Sequence, residues 1–91
     1  MSAFCYIIYS SFKDAYYVGS TSDEPSERLR RHNSKHKGYT SSAQDWIFVY
    51  LQSFDSISQA RSREKQIKRW KSRKAILKLI GEAGSEHPDR A

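Results

Sequence analysis

The sequence predicts a small domain of the α/β (α+β) class, and three patterns support this prediction. Two short runs rich in β-branched and aromatic residues, 3–9 and 15–19, flank a polar turn, which is typical of a β-hairpin. A third apolar run, 46–54, predicts another strand and, as the most hydrophobic segment, the central one. Apolar residues spaced three and four apart in 55–70 and 71–81 predict two helices.

A further helix is predicted between the second and third strands, over residues 24–36. Asp23 is a candidate N-cap, because its short carboxylate can accept hydrogen bonds from the first free backbone N–H groups of a helix. Pro25 suits the first turn, where no backbone N–H is needed, and Gly38 is a stop signal.

The two later helices carry signals of their own. Ser56 and Gln59 have the spacing of a capping box, and Gly81 is expected to close the last helix. The element order is therefore β-β-α-β-α-α, which predicts a three-stranded, mainly antiparallel sheet flanked by helices. We expect one domain over 1–81, followed by a polar tail over 82–91.

The charge of the chain points to a polyanionic partner. Sixteen Lys and Arg residues outnumber ten Asp and Glu residues, which gives a net charge of +6 in 91 residues. Nucleic acid is the first candidate partner for such an excess, although the same charge also serves solubility. The segment before Lys13 has no basic residue and only a short apolar run, so neither a signal peptide nor a membrane span is expected, and the cytoplasm is the default compartment.

Cysteine chemistry is excluded as a source of stability. Cys5 is the single cysteine, so no internal disulfide can form, and with three scattered histidines it does not make a convincing zinc site. It lies in an apolar strand pattern and is expected to be a small buried hydrophobic residue.

Glu64 is the strongest indication of chemistry. The helix face formed by Ile57, Ala60 and Ile67 includes position 64, so an acid lies where an aliphatic residue is expected. Nine Lys or Arg residues lie between 61 and 78, and Glu64 is the single acid among them. Burying an unpaired carboxylate is costly. Two interpretations follow: an ion pair with a neighbouring arginine, or a ligand for Mg²⁺ whose other ligands are water and phosphate oxygens.

Two tyrosines are predicted to meet across the hairpin. If Tyr9 pairs with Asp14, Tyr6 lies directly opposite Tyr17 on the same face of the sheet. Each tyrosine alone is more typical of a core aromatic whose hydroxyl has a partner.

Arg28 and His32 are four residues apart and therefore share a helix face. Arg28 is either a solvated surface residue or a clamp for phosphate, and His32 is either a structural histidine or a proton acceptor for a reacting water. Taken together with the tyrosines and Glu64, they are the parts of a metal-assisted phosphodiester site.

Four segments in this order resemble the GIY-YIG nuclease superfamily, in its small stand-alone bacterial form, the UPF0213 (YhbQ-like) type. The resemblance covers about residues 4–80 and rests on "FCY" at 4–6, "YVG" at 17–19, "ERLRRHN" at 27–33 and "AxxxEKQIKRW" at 60–70, with "YT" at 39–40 also fitting. Two features depart from the family pattern. Phe4 and Cys5 replace a Gly and an Ile, and no asparagine follows Glu64, where larger members carry one.

The resemblance implies an endonuclease that hydrolyses phosphodiester bonds in DNA with one Mg²⁺ or Mn²⁺ ion. It gives Glu64 the role of metal ligand and Arg28 that of phosphate ligand. Tyr6 or Tyr17, helped by His32, would position or deprotonate the attacking water. The implied substrate is branched or single-strand-containing DNA, cut with structure-directed or weak specificity, and DNA repair is the implied setting.

The basic runs at 28–37 and 61–78 are predicted to bind the nucleic-acid backbone. The residues expected to do so are Arg31, Lys35, Lys37, Arg63, Lys68 and Lys71. The same charge would serve a non-catalytic nucleic-acid-binding module of this fold, or a protein-interaction domain with an incidental basic surface. Glu64 favours the enzyme, because a module that only binds gains nothing from an inward acid in a basic helix.

Overall fold

The computed structural model describes residues 2–34 and 38–85, and within these ranges it confirms the predicted fold class and element order. None of the helices in these ranges has the length and apolar character required to cross a membrane. The elements in chain order are β1 (Ala3–Ser10), β2 (Ala15–Thr21), α1 (Pro25–His32), a 3₁₀ turn (Tyr39–Ser42), β3 (Ile47–Phe54), α2 (Ile57–Trp70) and α3 (Arg73–Ser85).

The sheet has the strand order β2-β1-β3, and both pairings are antiparallel. The prediction that 46–54 forms the central strand is therefore wrong, because β1 is central and β3 is an edge strand. Ile7 and Ile8 on β1 are fully buried, since this strand is covered on both faces. On β3, in contrast, Ile47 is 55% and Leu51 47% exposed. The most hydrophobic segment of the chain thus carries apolar residues that face solvent.

The hairpin register differs from the predicted one. Ser10 pairs with Ala15, so the turn comprises residues 11–14, and Tyr6 lies opposite Gly19 rather than opposite Tyr17. The partner of each β1 residue thus shifts by two positions along β2, so Tyr6 and Tyr17 still share a face and are diagonal neighbours.

Asp14 explains the shift in register. It has a left-handed backbone conformation with φ 51°, which closes the turn one residue later than predicted. Its carboxylate accepts hydrogen bonds from the Tyr9 hydroxyl at 2.7 Å and from Arg73 of α3 at 2.7 Å. Asp14 is thus held as a turn residue by a contact with the far end of the chain.

Helix α1 is shorter than predicted at both ends. Glu24, not Asp23, is its N-cap, with no side-chain capping bond, while Pro25 is confirmed in the first turn. The helix ends at His32 because the Asn33 side chain turns to the backbone of Trp46, where it donates one hydrogen bond at 3.0 Å and accepts another at 2.8 Å. Residues 35–37, which include part of the predicted helix, lie outside the described ranges.

The start of α2 is confirmed, and the end of α3 is not. Ser56 and Gln59 form the predicted capping box. The prediction that Gly81 ends the last helix is wrong, because α3 continues to Ser85. A helix interior accepts glycine at a cost of about 1 kcal/mol, so a glycine ends a helix only where the chain also needs a left-handed residue. The first four residues of the predicted tail are therefore helical, and 86–91 lie outside the described ranges.

The alternation of β1 side chains divides the core between the two faces of the sheet. Cys5, Ile7 and Val18 lie on one face with Ile67 of α2, and burial raises the pKa of the Cys5 thiol to about 11. Ile76, Leu79 and Ile80 of α3 complete this face, as predicted, and Ala75, the fourth residue predicted to face inward, is also half-buried.

The opposite face of the sheet carries a second cluster. Tyr6 and Ile8 of β1 pack there with Ala43 and Trp46, and Leu29 of α1 lies against them. The helices α2 and α3 therefore cover one face of the sheet, whereas α1 and the segment before β3 cover the other.

We predict that Ile67→Ala lowers the free energy of unfolding by about 2–5 kcal/mol, because the fully buried side chain leaves a cavity under the sheet. Leu77→Ala is the matched control in α3, since Leu77 is 46% exposed, and its effect should stay within about 0.5 kcal/mol. Urea denaturation of both variants measures this difference, and equal losses would contradict the described packing.

We predict that Gly19→Ala destabilises the protein by about 1–3 kcal/mol, because its Cβ would lie 2.5 Å from the hydroxyl oxygen and 2.6 Å from Cζ of Tyr6. Gly81→Ala should instead stabilise α3 by about 0.5–1 kcal/mol, since its Cβ meets nothing within 4 Å. Thermal melts of both variants test the opposite signs. An unchanged melt for Gly19→Ala would show that the strand has room for a side chain there.

Candidate active site

Tyr6 lies on the central strand β1, and its buried hydroxyl is at the centre of the candidate site. Its oxygen is 2.8 Å from Nε2 of His32, and Nε of Arg28 donates to it at 3.4 Å. Gly19 opposite Tyr6 leaves the space that the phenol ring fills. The buried phenol is therefore bound by two side chains of α1, four residues apart, as their spacing predicts.

Both ring nitrogens of His32 have a partner. Nδ1 lies 2.9 Å from Oγ1 of Thr40, and the ring packs against Tyr17 with a centroid separation of 5.3 Å. Thr40 is fixed in turn, because its backbone oxygen accepts the indole N–H of Trp46 at 2.9 Å. The imidazole is thus held in one orientation between the sheet and the 3₁₀ turn.

The hydrogen bonds of His32 link the Tyr6 and Thr40 hydroxyls. A neutral imidazole has one donor and one acceptor nitrogen. When Nδ1–H donates to Thr40, Nε2 accepts from the Tyr6 hydroxyl, and in the other tautomer both directions reverse. A proton on Tyr6 is therefore coupled to the protonation of His32.

Burial raises the pKa of the Tyr6 hydroxyl, and the hydrogen bond from Arg28 opposes this effect without cancelling it. The negative charge of Glu64 also raises the Tyr6 pKa. The hydrogen bond to Tyr6 raises the pKa of Arg28, so its guanidinium stays charged. At neutral pH, Tyr6 is therefore a neutral phenol beside a permanent cation.

A cavity of about 250 Å³ opens beside this cluster and is lined by Arg28, Arg31, His32 and Ser34. Arg31 also forms an ion pair with Asp23, with 3.5 Å between the guanidinium and carboxylate atoms. Two guanidinium groups and an imidazole therefore line the cavity, and groups of these kinds bind phosphate oxygens in proteins. The cavity thus suits a phosphate group.

Glu64 lies on the inward face of α2, as predicted, with its side chain 20% exposed. One carboxylate oxygen accepts the Ser20 hydroxyl at 2.5 Å, and the other accepts from Nζ of Lys68 at 2.6 Å. The structure therefore agrees with the ion-pair interpretation, with a lysine in place of the predicted arginine. Ser20 was not predicted as a site residue, although it directly follows the "YVG" segment.

The two halves of the site meet at the outer edge of β2. Tyr17 points to the face that carries Tyr6 and His32, whereas Ser20 points to the face that carries Glu64. Lys68 bridges the two faces, because its ammonium binds Glu64 and lies 5.6 Å from the centroid of the Tyr17 ring. Tyr6, Tyr17, Arg28 and His32 therefore form one cluster, and Glu64 is linked to it through Lys68 at the edge of β2.

The predicted nucleic-acid-binding residues divide into three groups. Arg31 and Lys68 border the site, as described above. Arg63 lines a separate cavity of about 520 Å³ with Arg69, where its guanidinium bonds to Gln66, and Lys71 is an exposed residue that ends α2. Lys35 and Lys37 lie outside the described ranges, so their predicted contacts stay predictions.

A divalent cation would depend on Glu64 for its protein ligand. Within residues 2–34 and 38–85, no three or more His, Cys, Asp or Glu side chains are grouped so that they could hold a metal ion. Glu64 nevertheless has the right chemistry, because Mg²⁺ is commonly bound by one or two carboxylates, with water and substrate phosphates as its remaining ligands. The site therefore fits a metal that is bound together with a phosphate-containing substrate.

Comparison with known proteins agrees with this geometry. The family model described as the GIY-YIG catalytic domain matches residues 2–76. The chain is also similar in fold to the solution NMR structure of the UPF0213 protein BH0048 from Bacillus halodurans, with a TM-score of 0.60 and 23% sequence identity over 94% of this chain and 89% of that one. A search of curated proteins found no significant match. With most of its length matched by that model, the chain belongs to the GIY-YIG family, a family of nucleases.

Proposed function

We propose that this protein is a divalent-metal-dependent endonuclease that hydrolyses phosphodiester bonds in DNA. The observation that carries the proposal is the bonded trio Tyr6, His32 and Arg28 beside a cavity of about 250 Å³ lined by two arginines, with Glu64 linked to the same cluster through Lys68. Family membership supports a nucleic-acid substrate in general.

Arg28 binds the scissile phosphate in this proposal. Its Nε contacts Tyr6, while its guanidinium lines the cavity, so it can hold the phosphate next to the phenol. Its permanent charge offsets the negative charge that develops on the phosphate oxygens in the transition state. Arg31 and Lys68 extend the positive surface along the backbone of the nucleic acid.

Tyr6 and His32 position and deprotonate the attacking water. The Tyr6 oxygen accepts a hydrogen bond from the water while its own proton is directed at Nε2 of His32. As the water attacks phosphorus, its proton passes to the Tyr6 oxygen and the Tyr6 proton passes to Nε2. Tyr6 therefore does not need to exist as a phenolate, which its raised pKa disfavours. Of the two tyrosines, Tyr6 is favoured for this role because it contacts both Arg28 and His32.

Glu64 would hold Mg²⁺ or Mn²⁺, which supplies positive charge to the phosphate and to the leaving oxygen. Ser20 fixes the carboxylate from the side of the sheet by donating to one of its oxygens. The side chain is partly buried but reaches solvent, so a cation can enter together with the substrate.

The cationic groups at this edge recognise phosphate and not bases, which favours selection by DNA shape. Branched or single-strand-containing DNA exposes its backbone to such an edge better than a regular duplex does. The proposed activity is therefore structure-directed or weakly specific, and cytoplasmic DNA repair is a setting that would use it.

A non-catalytic nucleic-acid-binding module is the second candidate function. One observation favours it: both oxygens of Glu64 already have partners in the protein, Ser20 and Lys68. The basic surface would then bind nucleic acid without cutting it. The cleavage experiment that follows separates the two functions.

We predict that Glu64→Gln lowers cleavage of branched DNA in Mg²⁺ by at least about a hundredfold, because the metal loses its protein ligand. DNA binding should persist or strengthen, since a negative charge has left a basic surface. Stability should change by about 1 kcal/mol or less, because Lys68 is 48% exposed and can return to solvent, while the glutamine carbonyl oxygen still accepts one of the two hydrogen bonds. A cleavage assay, a binding titration and a thermal melt measure these three effects.

Glu27→Gln is the matched control, since Glu27 is also a helical acid in an ion pair, with Arg30, and is more exposed. This variant should cut DNA at the wild-type rate. Cleavage that survives excess chelator, or full activity of Glu64→Gln, would contradict the proposed metal role. Binding of DNA without cleavage by the wild-type chain in Mg²⁺ and Mn²⁺ would favour the non-catalytic module.

We predict that Arg28→Ala loses most of the cleavage activity but only part of the DNA affinity. The other Lys and Arg residues share the electrostatic binding, so the slope of log affinity against log salt should change by about one unit or less. Arg30→Ala is the control on the same helix, because Arg30 is exposed and paired with Glu27. Equal turnover of the two variants would assign Arg28 to the ordinary solvated surface.

A further inference from the structure

Lys68 occupies the position on Glu64 that a cation would take. Its ammonium lies 2.6 Å from one carboxylate oxygen, and the other oxygen accepts from Ser20. The ammonium also lies over the Tyr17 ring, which keeps it on the site side of α2. Both oxygens of the carboxylate are therefore used within the protein.

A divalent cation and the Lys68 ammonium cannot both sit against this carboxylate without strong repulsion. Two like charges a few ångströms apart repel most where solvent is partly excluded, and the Glu64 side chain is mostly buried. A metal that binds Glu64 must therefore displace Lys68, and the free energy of the ion pair opposes metal binding.

We infer that Lys68 is a built-in competitor for the metal, holding Glu64 in the nucleic-acid-free chain and weakening its affinity for a divalent cation. The inference rests on the proposed role of Glu64 as metal ligand. The long side chain of Lys68 is half exposed, so it can leave the carboxylate without disturbing the core. A vacant carboxylate should thus bind metal more tightly than the paired one.

The test is a titration of each purified variant with Mn²⁺ alone, in which the electron paramagnetic resonance signal reports free Mn²⁺. Lys68→Gln should bind Mn²⁺ about fivefold or more tightly than the wild type, which is the scale of a lost, partly buried ion pair. Lys68→Met should do the same, because it keeps the apolar stem and lacks the charge. Lys68→Arg should bind as weakly as the wild type.

Lys65→Gln is the matched control, since it removes one exposed positive charge from the same helix. Its Mn²⁺ affinity should stay within about twofold of the wild type, because the charge of a solvent-exposed side chain is screened. Glu64→Gln and the double variant Glu64→Gln/Lys68→Gln should bind no Mn²⁺ in this range. Thermal melts confirm that each variant is folded.

Three results would overturn the inference. Equal affinities of Lys68→Gln and Lys65→Gln would show that Lys68 does not compete, and the proposed metal role would stand if Glu64→Gln alone lost binding. No Mn²⁺ binding by Lys68→Gln would show that vacating the carboxylate creates no site, and the cleavage assay would then decide the function. Undiminished binding by Glu64→Gln would refute the metal-ligand role itself.

Discussion

The buried hydroxyl of Tyr6 is the constraint on which the arrangement of the site depends. A polar group buried on the central strand is costly unless it has a hydrogen-bond partner, and both of its partners come from α1. The position of α1 over the sheet is thereby tied to one oxygen atom. The Tyr6 hydroxyl fits in this position because Gly19 has no side chain. Thr40 provides the hydrogen-bond partner for the second ring nitrogen of His32. Packing and proposed chemistry therefore use the same contacts.

The features that could be predicted from the sequence are those that depend on the spacing of residues within one helix or one hairpin. The capping box of α2, the inward position of Glu64 and the shared face of Tyr6 and Tyr17 all follow from helix and strand periodicity, and all are present. The hairpin register did not follow, because Asp14 is held in its left-handed conformation by Arg73, 59 residues later. A pairing between residues so distant in the sequence leaves no periodic signal.

The same distinction explains which site residues the sequence missed. Ser20 and Thr40 act through one hydrogen bond each, to Glu64 and His32, and serine and threonine are common in strands and turns for many reasons. The central strand was misassigned because the hydrophobicity of a segment does not show how many strands pair with it in the sheet. β3 is apolar yet lies at an edge, where its outward face meets solvent.

Gly19 and Ser20 are adjacent in β2 but serve opposite faces of the sheet, one making room for Tyr6 and the other binding Glu64. A slip of one residue in the pairing of β2 would move each of them to the opposite face of the sheet. A slip in one direction would bring the Ser20 hydroxymethyl group against the phenol ring, and a slip in the other would put Gly19, which has no side chain, where Ser20 now binds the carboxylate. The length of the turn before β2 therefore determines which side chains reach the site. Single-residue insertions or deletions between Ser10 and Gly19 should be the least tolerated changes in the hairpin.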